Sequence, residues 1–362
     1  MGEEQLIPKL RFNGFDEDYN YYKLEQLVDK ISSGKTNIKK SQDENGKYPI
    51  FGSRNIIGYS NSFDYDGDFL LVARVGANAG TLYKVNGKCG VSDNTLMIVP
   101  SDLINKDYIY YYLKQYNLNR LIFGSGQPLI TGKQLKRIDI HLPTLKEQNK
   151  IANFISKIDV KIDLLEKKYE SHLNFKKYLM QQIFAQKLRF NFDEEWKNVK
   201  LEELTEKISS GKSNLKKSTD GDEKYPIYGS RGIIGYSNSY DYDDTFLLIA
   251  RVGANAGSLF KISGKCGITD NTLVLKTNDL INDDYLFYYL KNYNLNRLVF
   301  GSGQPLITGK QLKNIKINLP NINEQNKISK MFIEVDNNIN LLNNSIKLVL
   351  NFKKGLLQQM FV

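Results

Sequence analysis

The sequence predicts an α+β protein made by tandem duplication. An α/β domain followed by a long helix is present twice, and the two helices are expected to form an antiparallel coiled coil with pseudo-two-fold symmetry. Three observations carry this. Residues 10–183 return as residues 188–360, almost everywhere at an offset of 177. Phe123–Lys136 recurs unchanged as Phe300–Lys313, and Arg74-Val75-Gly76-Ala77-Asn78-Ala79-Gly80 recurs from Arg251 to Gly257. In each copy a proline closes a globular stretch and a heptad pattern follows. A period this long marks duplicated domains, because solenoid repeats run about 20 to 50 residues.

The elements follow from local pattern. The apolar runs Phe69–Arg74 and Thr95–Val99 read as strands, separated by turns such as Val85-Asn86-Gly87-Lys88. Asn105–Asn119 reads as a helix with Tyr108, Ile109, Tyr112, Leu113 and Tyr116 on one face. That stripe is expected to pack on the sheet rather than stack on bases. After Leu142-Pro143, apolar residues recur at Ile151, Ile155, Ile158, Ile162, Leu165 and Tyr169. Polar His172 and Lys176 interrupt, and Leu179 and Ile183 resume. The copy after Leu319-Pro320 keeps this register from Ile328 through Phe332, Val335 and Ile339 to Met360, with Lys353 as its interruption. Spacings alternating four and three make a coiled-coil seam. A helix over 144–186 would run roughly 60 Å at about 1.5 Å per residue. The first helix must deliver the chain to the second domain, so a second helix packed on it runs back. Lys9-Leu10-Arg11-Phe12 has its twin in Lys187-Leu188-Arg189-Phe190, directly after the first helix. The first copy is therefore expected beyond the end of the second helix, with the termini close together.

Composition narrows the function. The 362 residues are 41% hydrophobic and 25% charged, as in globular proteins, and no run approaches a membrane span. Met1-Gly2-Glu3-Glu4 lacks a signal-peptide pattern, and a cytoplasmic protein is expected. Fifty Lys and Arg against 40 Asp and Glu give a net charge of +10, which suits a polyanion. Cys89 and Cys266 are repeat equivalents and read as buried small residues, since one thiol per domain builds neither disulfide nor metal site.

Catalytic signatures are missing. Gly34-Lys35-Thr36 and Gly211-Lys212-Ser213 end like phosphate-binding loops, but the glycine required five residues earlier is Asp29 or Glu206. The two histidines, His141 and His172, face Asn318 and Val349 in the other copy, which argues against a symmetric histidine site. The sequence shows no Ser–His–Asp set, no metal carboxylate cluster and no dinucleotide fingerprint. A non-catalytic chain is expected.

Three features recur together. They are Tyr48-Pro49-Ile50 with Tyr225-Pro226-Ile227, the Arg-x-Gly-x-x-x-Gly strings at Arg74 and Arg251, and Leu142-Pro143-x-x-x-Glu147-Gln148-x-x-Ile151 with Leu319-Pro320-x-x-x-Glu324-Gln325-x-x-Ile328. Through them, and over essentially its whole length, the chain resembles the DNA-specificity subunit of type I restriction–modification systems. The resemblance implies target recognition domains at 1–143 and 187–320, with spacer helices at 144–186 and 321–362. It implies double-stranded DNA, two modification subunits and restriction subunits as partners, and no membrane. S-adenosylmethionine, ATP and Mg would sit on those partners, none on this chain. Recognition domains in such subunits commonly differ; here they nearly match, so a split target with equal or near-equal inverted halves is expected. Alternative readings are the specificity subunit of a fused restriction enzyme and a coiled-coil scaffold that does not bind DNA.

Base reading needs paired donors and acceptors, and phosphate contact needs cations, amides or hydroxyls. Candidates shared by both copies are Arg54 with Arg231 in Gly-Ser-Arg loops, and Tyr59 with Tyr236 beside them. Gln127 with Gln304 lies in a Gly-Ser-Gly-Gln loop, and Lys133 with Lys310 follows it. Lys35, Lys39 and Lys40 match Lys212, Lys216 and Lys217 as phosphate candidates. Asn78 and Asn255 are further candidates, while Arg74 and Arg251 read as structural at strand ends. Asn55 is replaced by Gly232, so the halves would differ at one base if Asn55 touches DNA.

Overall fold

A computed structural model describes residues 7–36, 45–124, 128–215, 224–301, 303 and 305–361. The chain divides into two compact units, one formed by residues up to 166 with 344 onward, the other by 167–343.

In the first unit the strands are β1 (Asn20–Lys23), β2 (Val28–Ser33), β3 (Tyr48–Gly52), β4 (Asn55–Ser60), β5 (Asp68–Ala73), β6 (Leu82–Asn86), β7 (Gly90–Val91), β8 (Thr95–Pro100) and β9 (Asp139–Leu142). They form an antiparallel sheet β2-β8-β5-β6, a smaller sheet β4-β3-β7 whose β3–β7 pair is parallel, and a ribbon β1-β9. The unbroken apolar run of β5 is explained by burial on both faces. Leu70 and Val72 face helix α1 (Lys106–Tyr116), whereas Phe69 and Leu71 face Phe51, Cys89 and Val91 of the smaller sheet. Successive residues of a strand point to opposite faces, so a strand between two layers must be apolar throughout.

Helix α1 starts where the Asn105 side chain accepts from the Tyr108 N–H, and it ends at Asn117, which is left-handed at φ 59°. It is therefore shorter than the 105–119 span read from pattern, because Asn at both ends caps it. Tyr108, Ile109, Tyr112 and Leu113 are buried as expected, and Tyr111 joins them, its hydroxyl donating to Asp159 at 2.8 Å. A short helix α2 (Gly132–Lys136) precedes β9.

The second unit repeats this with β10 (Lys197–Lys200), β11 (Thr205–Ser210), β12 (Tyr225–Gly229), β13 (Gly232–Ser237), β14 (Tyr242–Ala250), β15 (Leu259–Ile268), β16 (Thr272–Thr277) and β17 (Lys316–Leu319). One strand, β15, replaces the pair β6 and β7, so a single sheet runs β11-β16-β14-β15-β12-β13. The break in the first unit falls beside Gly67 at φ 141°, where the second unit has Asp244 within β14.

The long helices are α3 (Leu145–Phe184) and α6 (Ile322–Met360), separated in the chain by α4 (Asp283–Tyr293) and α5 (Gly309–Lys313). Their heptad positions Ile151, Ile155, Ile158, Ile162, Leu179, Ile183, Ile328, Phe332, Ile339, Ile346, Leu356 and Met360 are buried. Within the second unit the two segments run antiparallel: Lys176 pairs with Asp336, and Phe184 stacks on Phe332 at 5.7 Å. The lysine interruptions of the seam are thus ion pairs, with Lys353–Asp159 the equivalent in the first unit. His172 is held to the Lys168 carbonyl at 2.9 Å.

The junction motif is a joint. Buried Glu147 receives Arg11 at 2.8 Å, and buried Gln148 accepts from the Asn105 N–H while donating to the Pro143 carbonyl. Glu324 and Gln325 do the same with Arg189, Asn282 and Pro320. The Leu10 N–H donates to the Gln359 carbonyl at 2.9 Å, as the Leu188 N–H donates to the Gln182 carbonyl at 3.2 Å. The start of the described chain therefore sits against the end of α6, as expected.

Cys89 and Cys266 are buried and free, and burial pushes each thiol up to about 11. The thiolate is the reactive form, so a raised value means little thiolate at pH 8. Both are expected to resist a thiol reagent at pH 8 until the protein is denatured. Fast labelling of the native chain would contradict that burial.

Candidate nucleic-acid interface

Each unit carries an exposed hairpin. In β3–β4, Gly52 pairs with Asn55, leaving Ser53-Arg54 as the turn; in β12–β13, Gly229 pairs with Gly232 around Ser230-Arg231. Asn55 has φ 72° and Gly232 φ 85°. The position demands a left-handed residue, which glycine and then asparagine supply at least cost. The one-residue difference between the copies is therefore accounted for by the turn itself. Arg54 and Arg231 are exposed, and no ion pair or hydrogen bond to another described residue holds either guanidinium. Tyr59 and Tyr236, opposite Pro49 and Pro226, are 42% and 39% exposed, leaving ring surface for a ligand.

A second group forms where several repeated motifs meet. The Arg74 N–H donates to the Asn94 carbonyl, and its carbonyl accepts from the Ile130 N–H. The Gly76 N–H donates to the Pro128 carbonyl, and Gly76 and Gly80 are left-handed. At Gly80 a side chain would strike Asn119 Oδ1 at 2.5 Å. The Arg-x-Gly-x-x-x-Gly string is thus a backbone framework that binds residues 128–130 to the sheet. Arg74 Nη1 reaches Ser33 Oγ at 3.4 Å and Arg251 Nη1 reaches Ser210 Oγ at 3.3 Å, which ties both side chains to the end of β2 or β11. Gly34 there lies so close to β7 that an added carbon would meet the Val91 carbonyl oxygen at 2.1 Å.

Lys35 and Lys212, just beyond these glycines, are exposed, and the Lys212 backbone is fixed by the Tyr242 hydroxyl at 3.2 Å. Lys133 and Lys310 are exposed on α2 and α5, whose Thr131 and Thr308 caps hold Gln134 and Gln311. Asn78 and Asn255 are at most half-exposed in the glycine loops. Lys39, Lys40, Gln127, Lys216, Lys217 and Gln304 lie outside the described residues. Hairpin and loop groups are linked in each unit through β7 or β15: the Ser92 N–H donates to the Phe51 carbonyl, and the Thr269 N–H to the Tyr228 carbonyl. Among the described residues no group of three or more His, Cys, Asp or Glu is placed to hold a metal ion. The arrangement offers cations, amides and aromatic rings, and suits binding of an anionic polymer.

Sequence reasoning missed the anchoring role of Arg11, Tyr19, Arg189 and Trp196 on the buried glutamates. The available signal was their matched spacing, 136 residues from Arg11 to Glu147 and 135 from Arg189 to Glu324.

Comparison with known proteins identifies the likeness. A family model described as type I restriction modification DNA specificity domain matches residues 16–171 and again 193–351. The specificity subunit of the type I restriction enzyme MjaVIII from Methanocaldococcus jannaschii is 25% identical over 385 residues, covering 90% of this chain and 88% of that protein. The crystal structure of a type I restriction–modification S subunit from M. genitalium superposes with a TM-score of 0.71 at 19% identity, covering 99% of both chains.

Proposed function

Because the chain belongs to the type I restriction–modification DNA specificity family through both of its repeats, we propose that each unit reads one half of a split duplex target. The halves are equal or near-equal and inverted. The observation that carries this is the shared hairpin tip: Ser-Arg at a left-handed turn, exposed and unpaired, with a tyrosine beside it, in both units. Arginine presents two parallel donors to guanine in the major groove, and the lysines beside the glycine framework suit phosphates.

In this reading the chain directs adenine methylation and restriction but performs neither. Two modification subunits bring S-adenosylmethionine, and restriction subunits bring ATP and Mg. The complex works in the cytoplasm; no helix among the described residues is long and apolar enough to cross a membrane.

A genome-wide adenine-methylation map of cells carrying this chain with its modification subunit tests the reading. A split motif with matching inverted halves is the expected result, and two unrelated half-sites would sink the symmetry. Replacing Arg54 and Arg231 together with alanine is expected to lower the preference for that motif over random DNA. The loss corresponds to about 1–3 kcal/mol per lost bidentate contact. If affinity for both DNAs falls equally, the arginines serve phosphates.

A further inference from the structure

A hollow of about 270 Å³ lies in the second unit beside α3 and the end of α4. Three lysines line it, Lys176, Lys177 and Lys291, together with apolar Leu173 and Met180. Asp336 pairs with Lys176 and also accepts from the Tyr288 hydroxyl at 2.7 Å. No carboxylate among the described residues forms an ion pair with Lys177 or Lys291. The Lys291 ammonium rests over the Phe287 ring at 4.4 Å. It is held below its ordinary range, first by desolvation and then by the charge of Lys176, with Asp336 only partly opposing them. The hollow therefore carries a surplus of positive charge that an anion would relieve.

The same three lysines stand in the first unit as Lys353, Lys354 and Lys114, at the repeat offset of 177. Lys353 takes Asp159 as Lys176 takes Asp336, and Lys114 lies over Tyr110 at 4.8 Å. The residues at the neighbouring positions change between copies, Met180 to Leu357 and Asn292 to Gln115, while the cations stay.

We propose that the lysine recess of the second unit, and the equivalent lysines of the first, each hold a backbone phosphate of DNA, away from the bases that the hairpins read. The inference rests on the DNA-binding reading and extends it to the long helices. Lysine binds phosphate as a point charge with three donors. The same cations in both units suit a ligand that carries no base sequence, as the phosphate backbone does. The recess is too small for a folded element and large enough for a phosphate.

The test uses the full chain in complex with its modification subunit and a fluorescent duplex carrying the mapped target. Affinity is measured at stepped salt for the unaltered chain and for Lys114→Gln, Lys354→Gln, Lys177→Gln and Lys291→Gln combined. These residues are exposed, so the melting temperature is expected to hold. The slope of log affinity against log salt is expected to become shallower by about 2, at about 0.9 per phosphate lost. Preference for target over random DNA is expected to stay the same, and arginine at the four positions to restore the slope. An unchanged slope overturns the proposal. So does a variant that binds DNA normally once assembled but joins the modification subunit poorly, which would assign the recess to an acidic protein segment. If the unaltered complex shows no salt-sensitive DNA binding, the DNA reading itself falls with it.

Discussion

Replacing Gly211 with alanine is expected to destabilise the second unit by about 3 kcal/mol or more, at the upper end of overpacking costs. The added carbon would stand 2.3 Å from the Ile268 carbonyl oxygen and 2.4 Å from that of Thr269. Both are main-chain atoms and cannot rotate away. The crossing is also pinned on each side: the Gly211 N–H donates to the Thr272 carbonyl, and the Ser213 N–H to the Ile268 carbonyl. The Ile268 N–H returns a bond to Ser213 Oγ at 2.7 Å. Relief requires drawing the Lys212 segment away from β15, and with it from the strand that carries the Arg231 hairpin. Recognition by that unit should fail together with its stability. Gly34→Ala should do the same in the first unit. Gly309→Ala is the control, since its nearest neighbour would be Ile208 Cγ2 at an ordinary 3.5 Å. Denaturant unfolding of the three variants measures this; an unshifted midpoint for Gly211→Ala would mean that the two chains can part freely.

Arg189→Ala is expected to cost about 3–5 kcal/mol, the range for breaking one side of a buried ion pair. Glu324 is fully buried and accepts from Arg189 Nε at 3.2 Å, Arg189 Nη2 at 2.8 Å and Trp196 Nε1 at 3.0 Å. Without the arginine, the indole is its remaining side-chain donor among the described residues, and a charged carboxylate stays out of water. Arg189 also donates to the Glu194 carbonyl at 2.7 Å, so its loss frees the segment that leads into β10. Removing both partners, with Glu324→Leu added, should recover part of the loss because no buried charge is left uncompensated. A double-mutant cycle read by thermal melting checks this. A single variant as stable as the parent would show that water reaches Glu324.

The large-scale plan was legible because it is written in period. Duplication, the two long helices and the buried strand runs each repeat along the chain, and burial follows the seam at Ile151, Ile155, Ile158 and Ile162 and again at Leu179 and Ile183. What local pattern could not show were pairings across more than a hundred residues. Glu147 and Gln148 look like ordinary first-turn residues of a helix, yet one receives Arg11 and the other accepts from the N–H of Asn105, the residue that caps α1. The hairpin at Arg54 was seen as a loop, since Pro49 in β3 weakens the strand signal and Asn55 supplies a left-handed turn without glycine. The lysine recess was invisible for the same reason: Lys291 sits on α4, while Lys176 and Lys177 sit on α3.

The unbroken β15 has a mechanical consequence. In the second unit a force on the Arg231 hairpin passes into the main sheet along one ten-residue strand, which acts as a beam. In the first unit the load passes between β7 and β6 through the Tyr65–Cys89 pairing, where Gly67 at φ 141° stands in place of Asp244 and faces Gly87 with no side chain on either strand. Two hairpins with the same tip chemistry are therefore carried by ladders that differ at one glycine, which leaves the first backbone freer. If each hairpin reads a half-site as proposed, the first is expected to tolerate an imperfect half-site more readily and the second to penalise misfit more steeply.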